Sequence, residues 1–192
     1  MDFELAEEHR MLKDLVAKFV RDELMPLEAG VMAREAEGKG LGLDPADHVR
    51  LDAKARELGL FGLDAPEDVG GSDLPMTAMV GVEEEIGRCV TPYTLPPDSP
   101  NLRMLMQTVN ERQREAYLAP YVAGKMSSAI GISEPGAGSD PAGMTTYAVR
   151  DGDDWVINGQ KVWTSLAQFA ARCVLLTRTG PGSSFQANSI TS

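Results

Sequence analysis

The segment SEPGAGSDP, at residues 133–141, places two carboxylates, two glycines and two hydroxyl groups within one short stretch. Such a loop could bind a phosphate, because glycines let the backbone approach an anion and its amide groups then hold it. Two common phosphate motifs are nevertheless excluded. Pro141 occupies the third position of a dinucleotide fingerprint, and no GK[ST] ending of a Walker loop is present. Taken alone, the Gly136-Ala137-Gly138 loop is more typical of a turn than of a ligand site.

Other residues whose types could do chemistry have simpler structural interpretations. Glu134 could act as a catalytic acid or base, but a Glu-Pro pair before a tight loop more often makes a rigid entry to a turn. The acidic run at residues 83–85 is typical of a solvated helix face. His9 and His48 lie on acidic, polar segments without a cysteine or carboxylate arrangement around them, so we expect neither to bind a metal.

Composition and charge narrow the class of protein. The net charge of -11 falls almost entirely in residues 1–126, and no cluster of Lys or Arg offers a surface to nucleic acid or anionic membranes. The opening residues, MDFELAEEHR, are acidic and lack the apolar core of a secretory signal, and no apolar run approaches membrane-spanning length. Cys89 and Cys173 follow no metal-type spacing and suit a reducing compartment. We therefore expect a soluble, cytoplasmic protein.

The elements that would position these residues differ between the two halves of the sequence. In the first half, apolar residues recur at three- and four-residue spacings, which predicts amphipathic helices. Pro26 kinks or ends the first of them. Proline or N-cap signals begin the others, with a capping box at the last, and these signals are Asp44, Pro75, Ser99 and Asn110. On the helix after Pro75, the residues expected to face inward are Met76, Met79, Val80 and Ile86.

After Lys125 the pattern changes to short segments typical of β-strands, at residues 127–133, 145–150, 155–157, 160–165 and 172–178. Asp151-Gly152 and Asn158-Gly159 are typical hairpin turns between strands. The predicted fold class is therefore α+β, with an α-helical domain at residues 1–125 and an antiparallel β domain at residues 126–192. The closing residues, ANSITS, resemble the start of a further strand that lacks the length to pair, which we interpret as truncation.

Several motifs occur together and in a specific order. ISEPGAGSDPAGM and GDDWVINGQKVWTS are followed by LLTRT, and GLDAPEDVGGSDL and EEEIGR precede them in the helical half. In this combination the whole sequence resembles the acyl-CoA dehydrogenase family. The resemblance implies an N-terminal helical domain, a middle β domain that is incomplete here, and a C-terminal four-helix domain that is absent from this sequence.

The resemblance also implies a reaction and a cofactor. Enzymes of this family remove a proton from the carbon next to a thioester carbonyl and pass a hydride from the next carbon to N5 of FAD. Reduced flavin gains negative charge at its pyrimidine edge, where hydrogen-bond donors favour the reaction. Ser133 and the amides around it, including that of Ile132, are expected at that edge, with Trp163 against the flavin face and Ser165 near N5. Without the motif, Trp163 would be interpreted as a core aromatic on a strand.

A second group of residues is expected to contact the substrate, an acyl-CoA thioester. By resemblance, Gly136, Gly138 and Ser139 form a surface near the pantetheine and phosphate portions of coenzyme A, with Ser139 as the polar contact. An electron-transfer flavoprotein is the implied electron acceptor. The resemblance further implies a homo-oligomer for the full-length protein.

The proton-abstracting glutamate of the family lies in the C-terminal helical domain or is reached from it, and no acid in this sequence matches it. We therefore expect no catalytic residue within these 192 residues, and no dehydrogenase activity from them alone. The alternative is a non-catalytic short relative that binds a partner or a thioester without oxidising it. The closing residues carry neither charges nor prolines to protect an exposed edge, which favours truncation over this alternative.

Overall fold

A computed structural model describes residues 4–40, 42–97, 99–165, 167–168, 170–180 and 186–188 of the chain. The chain forms two compact units, Met1–Pro96 and Pro97–Ser192. The regular secondary structure in the described residues of the first unit is helical, whereas that of the second combines helices with two small β-sheets. The predicted α+β class, with helices followed by strands, is therefore confirmed. No helix within the described ranges is long and apolar enough to cross a membrane.

The first unit begins with a long helical segment that carries the predicted apolar stripe. Helix α1 spans Glu7–Phe19 and continues through a π-helical turn, Val20–Leu24, and a 3-10 turn, Met25–Leu27, into helix α2, Glu28–Ala36. Pro26 lies in the 3-10 turn, where its missing N–H cannot continue the α-helical bonding pattern. The α-helical pattern of α1 thus ends before Pro26, and a second α-helix follows the 3-10 turn.

Helix α3 spans Pro45–Glu57 and follows the predicted start signal. The Asp44 carboxylate accepts a hydrogen bond from the Ala46 N–H at 2.9 Å, which satisfies one of the unpaired donors of the first turn. Gly59, just after the helix, has a φ of 71°, a left-handed conformation that glycine adopts without steric cost. Local sequence signals thus specify both ends of this helix.

Helix α4 spans Met76–Ile86, and its buried face differs from the predicted one. Met76 and Val80 are 54% and 63% exposed. The residues that it buries are Ala78, Gly81, Val82, Glu85 and Ile86. The inward orientation predicted for Met76 and Val80 is therefore wrong, because apolar residues occupy two faces of this helix and their spacing alone does not choose between them.

Glu85 departs from the expectation of a solvated acidic face. Glu85 as a whole is 5% exposed, and its carboxylate accepts a hydrogen bond from Arg88 at 2.9 Å. The same carboxylate lies 3.7 Å from Lys13 Nζ on α1, and the exposed Glu84 pairs with that lysine as well. The acidic run therefore links α4 to α1, and only part of it is solvated.

Side chains from α1, α3, α4 and the segments around them form the core of the first unit. Tyr93 lies in this core, with its ring centroid 5.9 Å from that of Phe19, and its hydroxyl donates to Asp52 at 3.0 Å. The buried apolar cluster comprises Val16, Phe19, Val20, Leu24, Leu51, Ala55, Leu60, Leu63, Val82, Ile86 and Tyr93. Burying a large apolar side chain of this kind stabilises a fold by about 1.5–3 kcal/mol.

The second unit begins with helices that include the predicted capping box. The Asn110 side chain accepts a hydrogen bond from the Gln113 N–H at 2.9 Å, and the Gln113 side chain accepts one from the Asn110 N–H at 3.0 Å. This prediction is confirmed. The helical elements of the unit are α5 at Ser99–Thr108, α6 at Glu111–Gln113, a π-helical turn at Arg114–Leu118 and α7 at Ala119–Val122.

Five short strands follow in the described residues: β1 at Ser128–Gly131, β2 at Tyr147–Asp151, β3 at Asp154–Asn158, β4 at Arg172–Thr177 and β5 at Gln186–Asn188. Strand β4 pairs in parallel with β1 and antiparallel with β5, while β2 and β3 form a separate antiparallel pair. The expected antiparallel arrangement is thus wrong for the β1–β4 pair. A parallel pair needs a long crossover connection, and the segment between β1 and β4, which contains the β2–β3 hairpin, supplies it.

Only one of the two predicted hairpin turns joins two strands. Asp151-Gly152 connects β2 to β3, and Gly152 has the left-handed φ of 62° that such a turn requires. Residues 160–164 form no strand, so the hairpin predicted at Asn158-Gly159 and the strand predicted at residues 160–165 are wrong. A Cβ on Gly159 would lie 2.4 Å from Thr146 Oγ1, so this glycine serves a close backbone approach.

The closing segment pairs further than predicted. Strand β5 pairs with residues 175–177 of β4 through its full described length. The expectation that this segment lacks the length to pair is therefore wrong for these residues. The last part of ANSITS, residues 189–192, lies outside the described residues.

Candidate functional site

The glycine loop is built on a tight turn. The Glu134 N–H donates to the Ala137 carbonyl at 2.8 Å, and the Ala137 N–H donates back to the Glu134 carbonyl at 3.1 Å. These bonds close the chain over Pro135 and Gly136. Glu134 and Ala137 are buried, whereas Gly136 and Gly138 are exposed. The loop therefore rests on two buried residues and exposes its glycines.

The geometry of the described residues does not explain why glycine stands at positions 136 and 138. The φ of Gly136 and that of Gly138 lie outside the left-handed region, and a Cβ on either would meet nothing within 4 Å. Neither the turn nor packing among the described residues therefore requires glycine here. The open backbone leaves room for a group from outside the chain to approach closely.

Ser139 is exposed and follows the glycines directly. After it, the Asp140 carboxylate accepts a hydrogen bond from the Ala142 N–H at 3.0 Å and caps a short 3-10 turn. The Arg178 guanidinium donates to the carbonyls of Met144, at 2.7 Å, and of Ala142. Asp140 and Arg178 therefore fix the segment that follows Ser139.

Trp163 lies in an irregular segment and not on the predicted strand. Its side chain is 90% exposed, which excludes the interpretation as a core aromatic. Its φ is 59°, a left-handed conformation that is unfavourable for a bulky side chain. Exposed indole and strained backbone at one residue are typical of a functional site. Ser165 follows two residues later on an exposed turn.

Two hydrogen bonds place Ile132 and Ser133 beside the Trp163 segment. Both residues are half-buried and follow β1 directly. The Val162 N–H donates to the Ser133 carbonyl at 2.9 Å, and Lys161 Nζ donates to the Ile132 carbonyl at 2.9 Å. The structure therefore brings Ile132 and Ser133 next to the residues that immediately precede Trp163.

The Glu134 carboxylate is buried and fully engaged. It accepts hydrogen bonds from the Thr145 N–H at 2.6 Å, the Thr145 hydroxyl at 2.8 Å, the Thr146 N–H at 2.9 Å and Lys161 Nζ at 2.8 Å. Burial raises the pKa of this carboxyl, but the hydrogen bonds from Lys161, Thr146 and Thr145 outweigh it and hold the pKa of Glu134 well below its usual range. Such a carboxylate accepts a proton poorly, so the geometry favours a structural role for Glu134 over a catalytic one.

Sequence reasoning missed the donors that engage Glu134. Lys161 is 27 positions away from its partner, and no spacing rule connects residues that far apart along irregular segments. The sequence held one indication that Lys161 is buried and paired. It is a single charged residue next to the apolar Val162 and Trp163. A lysine in such a place is rarely buried without a partner.

The arrangement suits a flat heteroaromatic ring. Trp163 offers an exposed indole face, on which such a ring can stack. Ser133, in the segment hydrogen-bonded to Val162, offers a hydroxyl donor for the edge of the ring. The part of the chain that the structure describes contains no group of three or more potential metal ligands. The exposed indole of Trp163 and the hydroxyl of Ser133 are the two features here that are compatible with a flavin ring.

Known proteins resemble this chain over almost its whole length. Residues 6–125 match the family described as acyl-CoA dehydrogenase, N-terminal domain, and residues 129–191 match acyl-CoA dehydrogenase, middle domain. The (R)-benzylsuccinyl-CoA dehydrogenase of Thauera aromatica is 42% identical over 174 residues, which cover 86% of this chain and 43% of that protein. The mitochondrial short-chain specific acyl-CoA dehydrogenase of Homo sapiens is 32% identical over 179 residues, which cover 92% of this chain and 41% of that protein.

A solved structure shares the fold. The crystal structure of acyl-CoA dehydrogenase from Geobacillus kaustophilus has a TM-score of 0.74 and 29% identity, covering 93% of this chain and 45% of that one. The chain thus spans less than half the length of the relatives that it matches. On the family matches and these likenesses together, the chain belongs to the acyl-CoA dehydrogenase family.

Proposed function

We propose that this chain supplies the helical domain, residues 1–125, and the middle β domain, residues 126–192, of an enzyme that desaturates an acyl-CoA thioester with FAD. The observation that carries the proposal is Trp163, whose 90% exposed side chain and φ of 59° coincide at the position where the family likeness implies the flavin. When bound, FAD supplies the hydride acceptor at N5. The chain's own residues would bind and orient it.

Four residues would hold the flavin. The Trp163 indole would lie against the ring face opposite the substrate, and the Ser165 hydroxyl would donate near N5. Ser133, with the amides around it including that of Ile132, would donate to the pyrimidine edge. Donors that are fixed before the reaction favour the negative charge that reduced flavin gains there.

Gly136, Gly138 and Ser139 would contact the pantetheine and phosphate portions of the acyl-CoA substrate. The support for this role is the open space at both glycines, which the fold itself does not use. Because the 42% identical relative is named for (R)-benzylsuccinyl-CoA, the thioester of a substituted dicarboxylic acid is the first substrate to test.

The base that removes the α-proton would come from outside these 192 residues. Glu134 is the buried carboxylate beneath the candidate loop, and its four hydrogen bonds leave it unsuited to accept a proton. The C-terminal helical domain that the family likeness implies would provide the base. An electron-transfer flavoprotein as acceptor and a homo-oligomeric full-length protein are part of the same proposal.

The experiment starts with protein isolated from its native cell, whose intact mass is compared with the 20.7 kDa of this chain. Its visible spectrum is recorded before and after anaerobic mixing with (R)-benzylsuccinyl-CoA, a short-chain acyl-CoA and isovaleryl-CoA. Flavin absorbance that one thioester bleaches supports the proposal, and a protein without flavin contradicts it. A 20.7 kDa protein that binds a thioester without bleaching would support the non-catalytic alternative.

A further inference from the structure

The ion pair between Lys161 and Glu134 is buried on both sides. Their side chains are 8% and 3% exposed, and the Nζ–Oε1 distance is 2.8 Å. Taking two charges out of water is costly, so such a pair persists only where the remaining hydrogen-bonding positions are also satisfied. One use of buried pairs is to fix a single arrangement of the segments that they join.

This pair joins three segments that are distant in the sequence. Glu134 stands after β1 and accepts from the backbone of Thr145 and Thr146, just before β2. Lys161 stands after β3 and donates both to Glu134 and to the Ile132 carbonyl, at 2.8 Å and 2.9 Å. The two side chains therefore tie the ends of β1 and β3 to the start of β2.

The backbone that leads into Trp163 is restrained by Lys161 and by one hydrogen bond of Val162. The side chain of Trp163 is 90% exposed, so it packs on little of the protein, and its left-handed φ is kept only where the flanking backbone is fixed. The backbone before it is held by Lys161 and by the bond from the Val162 N–H to the Ser133 carbonyl, 2.9 Å long. Loss of the ion pair would remove one of these two restraints.

We propose that Lys161 and Glu134 are positioning residues, whose buried pair sets the place of Trp163 relative to Ser133 and thereby the affinity of the site for flavin. The hydrogen bonds of both side chains go to the protein's own groups, so the proposal assigns neither of them a contact with the flavin. The flavin part of this inference rests on the proposed function. The part that concerns Trp163 rests only on the hydrogen bonds and burial described above.

Two readouts separate positioning from a general contribution to stability. In a background where Trp155 and every tryptophan outside these 192 residues are replaced by Phe, Trp163 is the remaining tryptophan, and its fluorescence anisotropy in the flavin-free protein reports how firmly its segment is held. The dissociation constant and visible spectrum of added FAD report the site itself. A side chain that only stabilises the fold would lower the melting temperature and leave both readouts unchanged.

The test variant is Lys161→Met in the full-length protein, with Lys54→Met as the matched control. Lys54 makes an exposed pair with Glu57 at 3.0 Å in the first unit, so its loss should change neither readout. Lys161→Met should lower the anisotropy of Trp163 and raise the FAD dissociation constant roughly 10- to 100-fold, by analogy with residues that orient the ligands of metal sites from outside. Lys161→Arg, which keeps the charge, should recover part of both. A folded Lys161→Met protein that matches Lys54→Met in both readouts overturns the inference.

If Lys161→Met does not fold, a second variant tests the positioning role of the ion pair. Glu134→Gln keeps the shape of the side chain and removes its charge, and should shift both readouts in the same direction by less. An unchanged anisotropy and FAD affinity in Glu134→Gln would overturn the inference. If the wild type binds no FAD, the proposed function fails, and the anisotropy of Trp163 alone still supports or overturns the positioning role.

Discussion

At the scale of single residues, the glycines separate into those that the fold needs and those that it does not. Gly159 has a φ of 150°, and a Cβ there would lie 2.4 Å from Thr146 Oγ1 and 2.6 Å from its Cα. Gly159→Ala should therefore lower the free energy of unfolding by roughly 1–3 kcal/mol, the usual cost of overpacking. Urea unfolding followed by circular dichroism measures this change.

Gly136→Ala is the matched control, because the same Cβ would meet nothing within 4 Å at that position. Its free energy of unfolding should differ from that of the wild type by less than about 0.5 kcal/mol. Equal stability of the Gly159→Ala and Gly136→Ala proteins would show that the close approach to Thr146 does not constrain the fold.

Glu134 should make the stability of the protein depend on pH. Its pKa is lower in the folded protein than the ordinary value near 4.3, so its stabilising contribution is complete above that value and is lost as the pH falls through the folded pKa. The difference in unfolding free energy between the wild type and Glu134→Gln should be largest near neutral pH and should shrink below about pH 4. Urea titrations at several pH values measure it.

Glu57→Gln is the control for this pH dependence. The Glu57 side chain is 68% exposed and pairs with Lys54, and exposed pairs of this kind contribute little to stability. Its difference from the wild type should be small throughout the pH range. If the Glu134→Gln difference were as large in acid as near neutral pH, the ionised carboxylate would not be the source of its stabilising effect.

At the scale of elements, the start of α3 rests on one side chain. Asp44→Ala removes the acceptor of the Ala46 N–H and should lower the free energy of unfolding by about 1 kcal/mol. Asp44 also lies 4.0 Å from Arg34, in a partly exposed pair that contributes little. Asp44→Asn removes the charge and keeps the cap, so it should retain most of the stability in the same thermal or urea unfolding experiment. A loss as large in Asp44→Asn would assign the effect to charge.

The elements that the sequence predicted well are those with local signals. The cap at Asp44, the capping box at Asn110 and the turn at Asp151-Gly152 each involve residues within a few positions of one another. Predictions from residue spacing were wrong where the packing partners are distant in the sequence. Packing against α1 determines which face of α4 is buried. The long connection between β1 and β4 allows these two strands to pair in parallel.

The candidate site divides in the same way. The glycine loop was open to sequence reasoning because its residues are contiguous, although its ligand role came only from the family likeness. Sequence reasoning could not predict the exposure of Trp163 or the hydrogen bond from Lys161 to Glu134. Both depend on how three separate segments meet in the folded chain. The composition of residues 160–165 is typical of a strand, yet this segment is irregular in the structure. It directly follows Gly159, whose backbone lies close to Thr146.

At the scale of the whole molecule, the compact units do not follow the change from helices to strands. The second unit begins at Pro97 and groups the last helices with the sheets, because α5 packs against both β1 and β5. The pattern change at Lys125 marks where the secondary structure switches. A truncation that starts the β domain at residue 126 would therefore remove α5 from the strands that it covers.

The proposed function assigns the flavin contacts to these 192 residues and the base to a part of the protein outside them, and this separation leads to a prediction. In α,β-dehydrogenation the hydride leaves the β-carbon as the α-proton is removed, so a chain without the base should bind without reacting. The purified 192-residue polypeptide, supplied with FAD, should show no bleaching of flavin absorbance by any acyl-CoA in anaerobic stopped-flow mixing. The full-length protein, measured alongside, should be bleached by its substrate. Turnover by the 192 residues alone would place the base within them, and Glu134→Gln would then be the first variant to assay.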